Sequence, residues 1–290
     1  MVSPIIKGMK TMRCYSDKGF IKPVLLILCF IFIACTGEQD YNKIRTLDQD
    51  GKDFGAGAVI HYEDCTTGNL FVYLNSIKTI PGNYVVNITG NAVFTDYVLL
   101  SKGVKISLRG DGGIITAPEA ECIFAVDKGA KLVLRDITLD GKYNDYNYLI
   151  YLYGEMSMED GSLLTRGQDG AIDIEGGYFI MNGGEIRECG GDFDTISVRG
   201  AGARFQKNPG GIIRGKNGDG ANNPEKHVIG VWSSLLYKLC YRDEEIGSKE
   251  ILRLWLNSEG KSISFKSGKW DMSESNKLLE FFPKHMIIYH

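Results

Sequence analysis

The sequence predicts an all-β chain folded as a right-handed, single-stranded parallel β-helix of about six coils with a short N-terminal capping helix. Three observations predict it. Apolar pairs at period two recur in steps of 20 to 26 residues, a further apolar position follows five of the six pairs in phase, and the 36 glycines, against only 7 prolines, gather where the repeats turn. Alternation at period two marks a strand with one buried face. Three short strands per repeat cannot bury that face alone, so successive repeats stack, each residue over its counterpart at the ~4.8 Å strand spacing.

Residues 1–34 come first and stand apart from the fold. Five basic residues against Asp17 precede Val24 to Ala34 (VLLILCFIFIA), an apolar run of 11 residues. A spanning helix needs ~20, so the segment reads as a signal peptide, with Met9 and Met12 as alternative starts. Phe32-Ile33-Ala34-Cys35 resembles the relaxed lipobox of spirochaete lipoproteins. The resemblance implies cleavage before Cys35, acylation of that cysteine and a membrane partner held through the lipid. Without residues 1–34 the chain keeps 28 basic and 35 acidic residues, a net charge of −7. That balance gives no overall basic footprint for nucleic acid. Cys65, Cys122, Cys189 and Cys240 remain beyond the anchor and have no metal-ligand spacing. Buried free thiols are expected, with disulfides the alternative in an exported chain.

Residues 35–65, polar and glycine-containing, read as the acylated N-terminus and a tether. Residues 66–81 set Leu70, Val72 or Tyr73, Leu74 and Ile77 near one helical face ahead of Pro81-Gly82, a helix suited to covering the open end of the stack. The β-helix occupies residues 82–232. Its first pairs are Val86/Ile88, Ile106/Leu108, Leu132/Leu134, Met156/Met158, Phe179/Met181 and Phe205/Lys207. The middle positions are Ile114, Leu139, Leu163, Ile186 and Ile212, and the last pairs are Phe124/Val126, Ile150/Leu152, Ile172/Ile174, Ile196/Val198 and Ile229/Val231. Lys207 falls on a core position, where an unpaired ammonium is costly, so the regular stack is expected to open there. Residues 233–290 read as a C-terminal coil and cap, with a strand-like run at Ile263 and Phe265.

The phrases Lys131 to Leu139 (KLVLRDITL), Met156 to Ser162 (MSMEDGS) and Phe179 to Ile186 (FIMNGGEI) resemble the repeats of spirochaete (treponemal) β-helix lipoproteins, within the pectin-lyase-like superfamily. The likeness covers about residues 66–232. It implies a lipid-anchored cell-envelope protein at the outer membrane or cell surface. It implies little chemistry, because a fold hosts many functions.

The loops between middle and last strands leave one edge of successive coils. They carry Tyr143, Asp145, Tyr146, Tyr148, Asp169, Phe193 and Asp194, the candidate ligand residues. Aromatic faces beside carboxylates suit a sugar ring or a peptide. The leading expectation is therefore a non-catalytic binding or adhesin scaffold for a glycan or a host or matrix protein. The alternative is a polysaccharide lyase or hydrolase using Asp145, Asp169 and Asp194. No histidine stands between Gly82 and Asn223, so the coils hold no Ser-His-Asp set. No cofactor is expected, and Ca2+ enters only with the lyase alternative. Asp173, flanked by Ile172 and Ile174, points outward and reads as a solvated surface acid. Arg109 and Arg135 stack in phase as a surface charge ladder.

Overall fold

Inward-pointing apolar residues on alternating positions wind the chain around one core in this computed structural model, which describes residues 51–54, 58–143, 148–190, 194–215, 228–232, 238–241, 245–249, 252–256, 262–266, 269–270 and 286–289. The result is a parallel β-solenoid of about six turns with three faces. Residues 1–34, expected to be a signal peptide, and Cys35 lie outside the described residues.

The first face carries Gly82–Thr89, the leading half of Val104–Thr116, the leading half of Lys131–Asp140, and then Glu155–Met158, Tyr178–Met181 and Arg204–Lys207, all parallel. From Ile106/Leu108 to Phe205/Lys207 the expected pairs stand in register. The first coil differs. Tyr84 and Val86, not Val86 and Ile88, oppose Ile106 and Leu108. Tyr84, Val86 and Ile88 are all buried, and a slip of two residues keeps the same face inward, so alternation alone cannot fix this register.

On the second face Ala92–Val93, the trailing halves of the two long strands, Leu163–Thr165, Glu185–Cys189 and Ile212–Gly215 stack in parallel. Its buried row is Ile115, Leu139, Leu164, Ile186 and Ile213. Ile114, Leu163 and Ile212 were thus one residue early. Each is the first of two adjacent apolar residues, and the hydrogen-bonded register turns the second inward. The third face stacks Val98–Leu100, Phe124–Val126, Tyr148–Leu152, Gly170–Glu175, Ile196–Arg199 and Ile229–Trp232 with every expected pair in register.

Tight corners join the faces. Gly184 has φ +77°, and a Cβ there would stand 2.5 Å from the Ser162 carbonyl oxygen, so both conformation and space demand glycine. Amides ladder up the same edge. Asn182 Nδ2 donates to Glu159 Oε1 at 2.9 Å and Asn208 Nδ2 donates to Asn182 Oδ1 at 2.7 Å.

The helix Leu70–Ile77 closes the N-terminal end. Leu70, Leu74 and Ile77 are buried, each such burial being worth about 1.5–3 kcal/mol, and the Phe71 ring lies 5.0 Å from Phe94. The Ser101 amide donates to the Lys78 carbonyl at 2.9 Å, so the helix takes the place of the next strand down on the third face. Ordered structure reaches further back than the helix. Ile60–Thr66, within the stretch expected to be tether, pairs in parallel with Gly82–Thr89. Gly51–Phe54 forms a short helix whose Asp53 meets the outer side of the first face.

At the other end Lys207 is fully buried, its ammonium donating to the Asn208 carbonyl at 3.4 Å. Parallel stacking stops in this coil, yet the end is not open. The chain reverses, and Lys238–Tyr241, Glu245–Ile246 and Leu252–Leu256 pair antiparallel with Ile229–Trp232, Ile212–Gly215 and Arg204–Lys207, one on each face. Ile246, Leu252, Leu254 and Leu256 are buried by this turn, and the Arg204 guanidinium lies 4.7 Å over the Trp255 ring. Ser262–Lys266 follows antiparallel to Leu252–Leu256, where the run at Ile263 and Phe265 was expected. Cys65, Cys122 and Cys189 are buried thiols that form no disulfide among the described residues.

Candidate functional site

The corner between the second and third faces repeats an uncommon conformation. Tyr143, Arg166 and Glu188, none of them glycine, have φ of +57°, +57° and +55° on successive coils. Left-handed backbone costs an L-residue about 1–2 kcal/mol, so neighbouring groups must hold it. Asp140 is one such group. Its buried carboxylate accepts Arg166 Nε at 2.8 Å and pairs with Nη2 of the same guanidinium, and it also accepts the Lys142 amide at 3.0 Å. The Tyr143 amide in turn donates to the Arg166 carbonyl at 2.9 Å. Tyr143 remains 39% exposed, and its hydroxyl pKa is raised by burial and by the neighbouring Glu188 carboxylate. The corner therefore presents an aromatic face, a guanidinium and a carboxylate along one edge. Asp145, Tyr146 and Phe193 lie outside the described residues.

A second cluster sits on the outer side of the third face. Tyr151, Asp173, Ser197 and Gly230 stand in register across four strands. Tyr148 opposes Gly170, where a Cβ would stand 2.3 Å from the ring. Gly230 leaves the space that Asp194 fills, a Cβ there falling 1.7 Å from Oδ2. Asp173 is 2% exposed, Asp194 1% and Ser197 3%, so Asp173 is not a solvated acid. It does point outward, but Tyr148, Tyr151 and Arg199 crowd around it. Arg199 Nε donates to Asp173 Oδ1 at 2.8 Å, and Nη2 pairs with Oδ2.

Burial raises the Asp173 pKa, and the Arg199 hydrogen bond opposes that rise. Burial together with Asp173 and Asp194 raises the Tyr148 hydroxyl, which also bonds to Ser197. Burial and Asp173 push Tyr151 up to about 12. The cluster thus combines two carboxylates with two phenols that hold their protons, the ingredients of acid–base chemistry in a closed setting. Asp169, half-buried, adds to the field at Tyr148. Of the candidate ligand residues, then, Tyr148, Asp169 and Asp194 converge here and Tyr143 stands apart at the corner. Sequence reasoning missed Asp173, Ser197 and Arg199 as partners. Reading outward positions at the coil step of 24 residues would have stacked Asp173 with Ser197.

Beside both clusters lies a cavity of about 20 Å³ lined by Cys122, Ile123, Gly141, Leu149 and Gly167. That volume has room for a water-sized molecule and is too small for a sugar ring. Burial, with Glu121 and Asp96 nearby, pushes the Cys122 thiol up to about 12. Among the described residues no group of His, Cys, Asp and Glu is placed to hold a metal ion. None of their helices is long and apolar enough to cross a membrane. No family model, curated protein or solved structure matches the chain.

The raised groups set an alkaline limit. Unfolded thiols and phenols lose protons from ordinary values of 9.0 and 10.0, while Cys122 and Tyr151 keep theirs to about 12 and Tyr148 is also raised. Their stabilising contribution is intact below pH ~9 and is lost as pH rises toward ~12, because the unfolded state then binds fewer protons. Melting temperature measured across that range is expected to fall more steeply for the wild type than for Tyr148→Phe combined with Cys122→Ser. Parallel curves would remove these groups from the account.

Proposed function

We propose that the protein is a lipid-anchored component of the cell envelope, at the outer membrane or cell surface, whose β-solenoid displays a binding edge for a glycan or for a host or matrix protein without catalysing a reaction. The observation that carries this reading is the stacked corner, which brings exposed Tyr143 beside Arg166 and Glu188 on consecutive coils. Rigid corners hold such groups at fixed spacing, which lowers the ordering cost of binding an extended ligand. The repeat phrases that resemble spirochaete β-helix lipoproteins, and the lipobox at Cys35, supply the anchor and the location.

Purified protein is expected to be retained on an array of glycans and matrix proteins with no change to the ligand. Retention should weaken about tenfold or more in Tyr143→Ala, as for an aromatic anchor of a binding site. Intact-mass measurement of protein from cells is expected to show an acylated Cys35, and an unmodified N-terminus would remove the anchor. The enzymatic reading has one observation in its favour, the convergence of Asp169, Asp173 and Asp194 around Tyr148. Release of unsaturated or reducing ends from a polysaccharide, abolished by Asp169→Asn, would replace the scaffold with a lyase or hydrolase.

A further inference from the structure

The outer side of the first face holds a cationic cradle filled by the chain's own carboxylate. The solenoid register sets Lys105 beside Lys131 and Arg109 beside Arg135. Three of these cations converge on Asp53. Arg109 Nη2 lies 3.3 Å from Oδ2, Arg135 Nη2 lies 3.4 Å from Oδ1, and Lys131 Nζ donates to the Asp53 carbonyl at 2.7 Å. The Ser107 hydroxyl also donates to Oδ2, at 3.2 Å. Asp53 is 8% exposed and Ser107 is fully buried, while the Arg109 and Arg135 side chains stay 23% and 41% exposed, so the cradle is a recess with a buried floor and a solvent-facing rim rather than a fully solvated ladder. Glu155, in register with Lys131 and exposed, is the acid on the neighbouring strand.

The fit of Asp53 is incomplete in a specific way. Arg135 Nε is buried and donates to no acceptor among the described residues. Lys131 reaches only a backbone carbonyl, so its charge does not meet the carboxylate directly. A planar carboxylate has two oxygens and one charge, whereas the cradle offers two guanidinium groups, an ammonium and a hydroxyl. A tetrahedral oxyanion carries more acceptors and more charge, and guanidinium forks suit it.

We propose that Ser107, Arg109, Lys131 and Arg135 form a phosphate-type oxyanion site that Asp53 occupies as an intramolecular stand-in. An incoming phosphate displaces the Asp53 carboxylate and releases the Gly51–Phe54 helix from the first face. The group can come from free inorganic phosphate or from a phospholipid headgroup. The lipid source rests on the proposed anchor at Cys35, which stands 16 residues before Gly51 in the sequence.

The test titrates inorganic phosphate, against chloride at matched ionic strength, into the wild type, Asp53→Ala, Asp53→Asn and a triple variant Asp53→Ala/Arg109→Gln/Arg135→Gln. Both single variants remove the competing charge, and the asparagine keeps the shape should alanine unfold the segment. Calorimetry is expected to show phosphate binding at least tenfold tighter in the single variants than in the wild type, and none in the triple variant. Equal binding in all four proteins, or no binding in the single variants, overturns the site. Co-sedimentation with phosphatidylglycerol vesicles then separates the sources. Vesicle binding by Asp53→Asn that the triple variant loses supports the headgroup, and phosphate binding without vesicle binding assigns the site to the free ion. The phosphate titration involves neither the lipid nor the corner loops, so its failure leaves the scaffold proposal standing and its success does not depend on that proposal.

Discussion

Deleting residues 233–290 is expected to lower the melting temperature by more than about 10 °C and to turn the protein into a self-associating species. The reversed turn buries Ile246, Leu252, Leu254 and Leu256. At about 1.5–3 kcal/mol each, their loss alone amounts to several kcal/mol, and a chain of this size shifts by roughly 2–4 °C per kcal/mol. The larger consequence is topological. Arg204–Lys207, Ile212–Gly215 and Ile229–Trp232 would each present an unpaired strand edge to solvent, with Phe205, Ile213 and Val231 beneath them. Such an edge is a template for another chain, and three in register on one rod end favour end-to-end growth. Antiparallel pairing protects the intact protein, since a strand running backwards does not continue the parallel winding of the next coil. Sedimentation velocity and scanning calorimetry decide the matter. A truncated protein that sediments as one species and melts like the intact chain would show that the reversed turn is not a cap. Leu254→Asp offers a milder version, expected to destabilise the end without exposing its edges.

The solenoid itself was legible because its signal is redundant. Five last pairs, from Phe124/Val126 to Ile229/Val231, carry the same alternation at the same phase, and all five stack as the spacing implied. Errors arose where one alternation fits two registers. Tyr84, Val86 and Ile88 alternate over three positions, so the first coil slipped by two. Ile114-Ile115, Leu163-Leu164 and Ile212-Ile213 offer two apolar neighbours, so the middle row slipped by one. The reversed turn was not legible at all, because Leu252, Leu254 and Leu256 alternate in the same way whichever direction the strand runs.

The site was legible in part and for a different reason. Charged residues report polarity, and polarity does not report what stands above a strand. Asp173 points outward as its place between two isoleucines requires, yet Tyr148, Tyr151 and Arg199 enclose it. Asp53 shows the same limit from the other side. The stacked Arg109 and Arg135 were readable as a ladder, but their partner lies in a segment that composition marks as tether. Contacts between residues 56 and 82 positions apart leave no periodic trace.

Phe179→Ala is expected to cost about 3–5 kcal/mol and to split the unfolding transition in two. The Phe179 ring is fully buried and stacks on Phe205 at 5.3 Å with an interplanar angle of 15°. Phe179→Ala and Phe205→Ala together should cost less than their sum, because the ring pair contributes about 0.5–1.5 kcal/mol once, not twice. In a solenoid each coil touches only its neighbours, so cooperativity depends on every interface being stronger than the fluctuations that would open it. Weakening the interface between Tyr178–Met181 and Arg204–Lys207 isolates the last coil and its reversed cap from the coils before them. The chain carries its own probe for this event. Trp232, Trp255 and Trp270 are its only tryptophans, and all three belong to that end. In urea, the tryptophan emission of Phe179→Ala is expected to change at lower denaturant than the far-ultraviolet dichroism of the whole solenoid, with both midpoints coincident in the wild type. Coincident midpoints in the variant would mean that the end coils are held by more than the aromatic stack, and the neighbour-only description of this rod would fail.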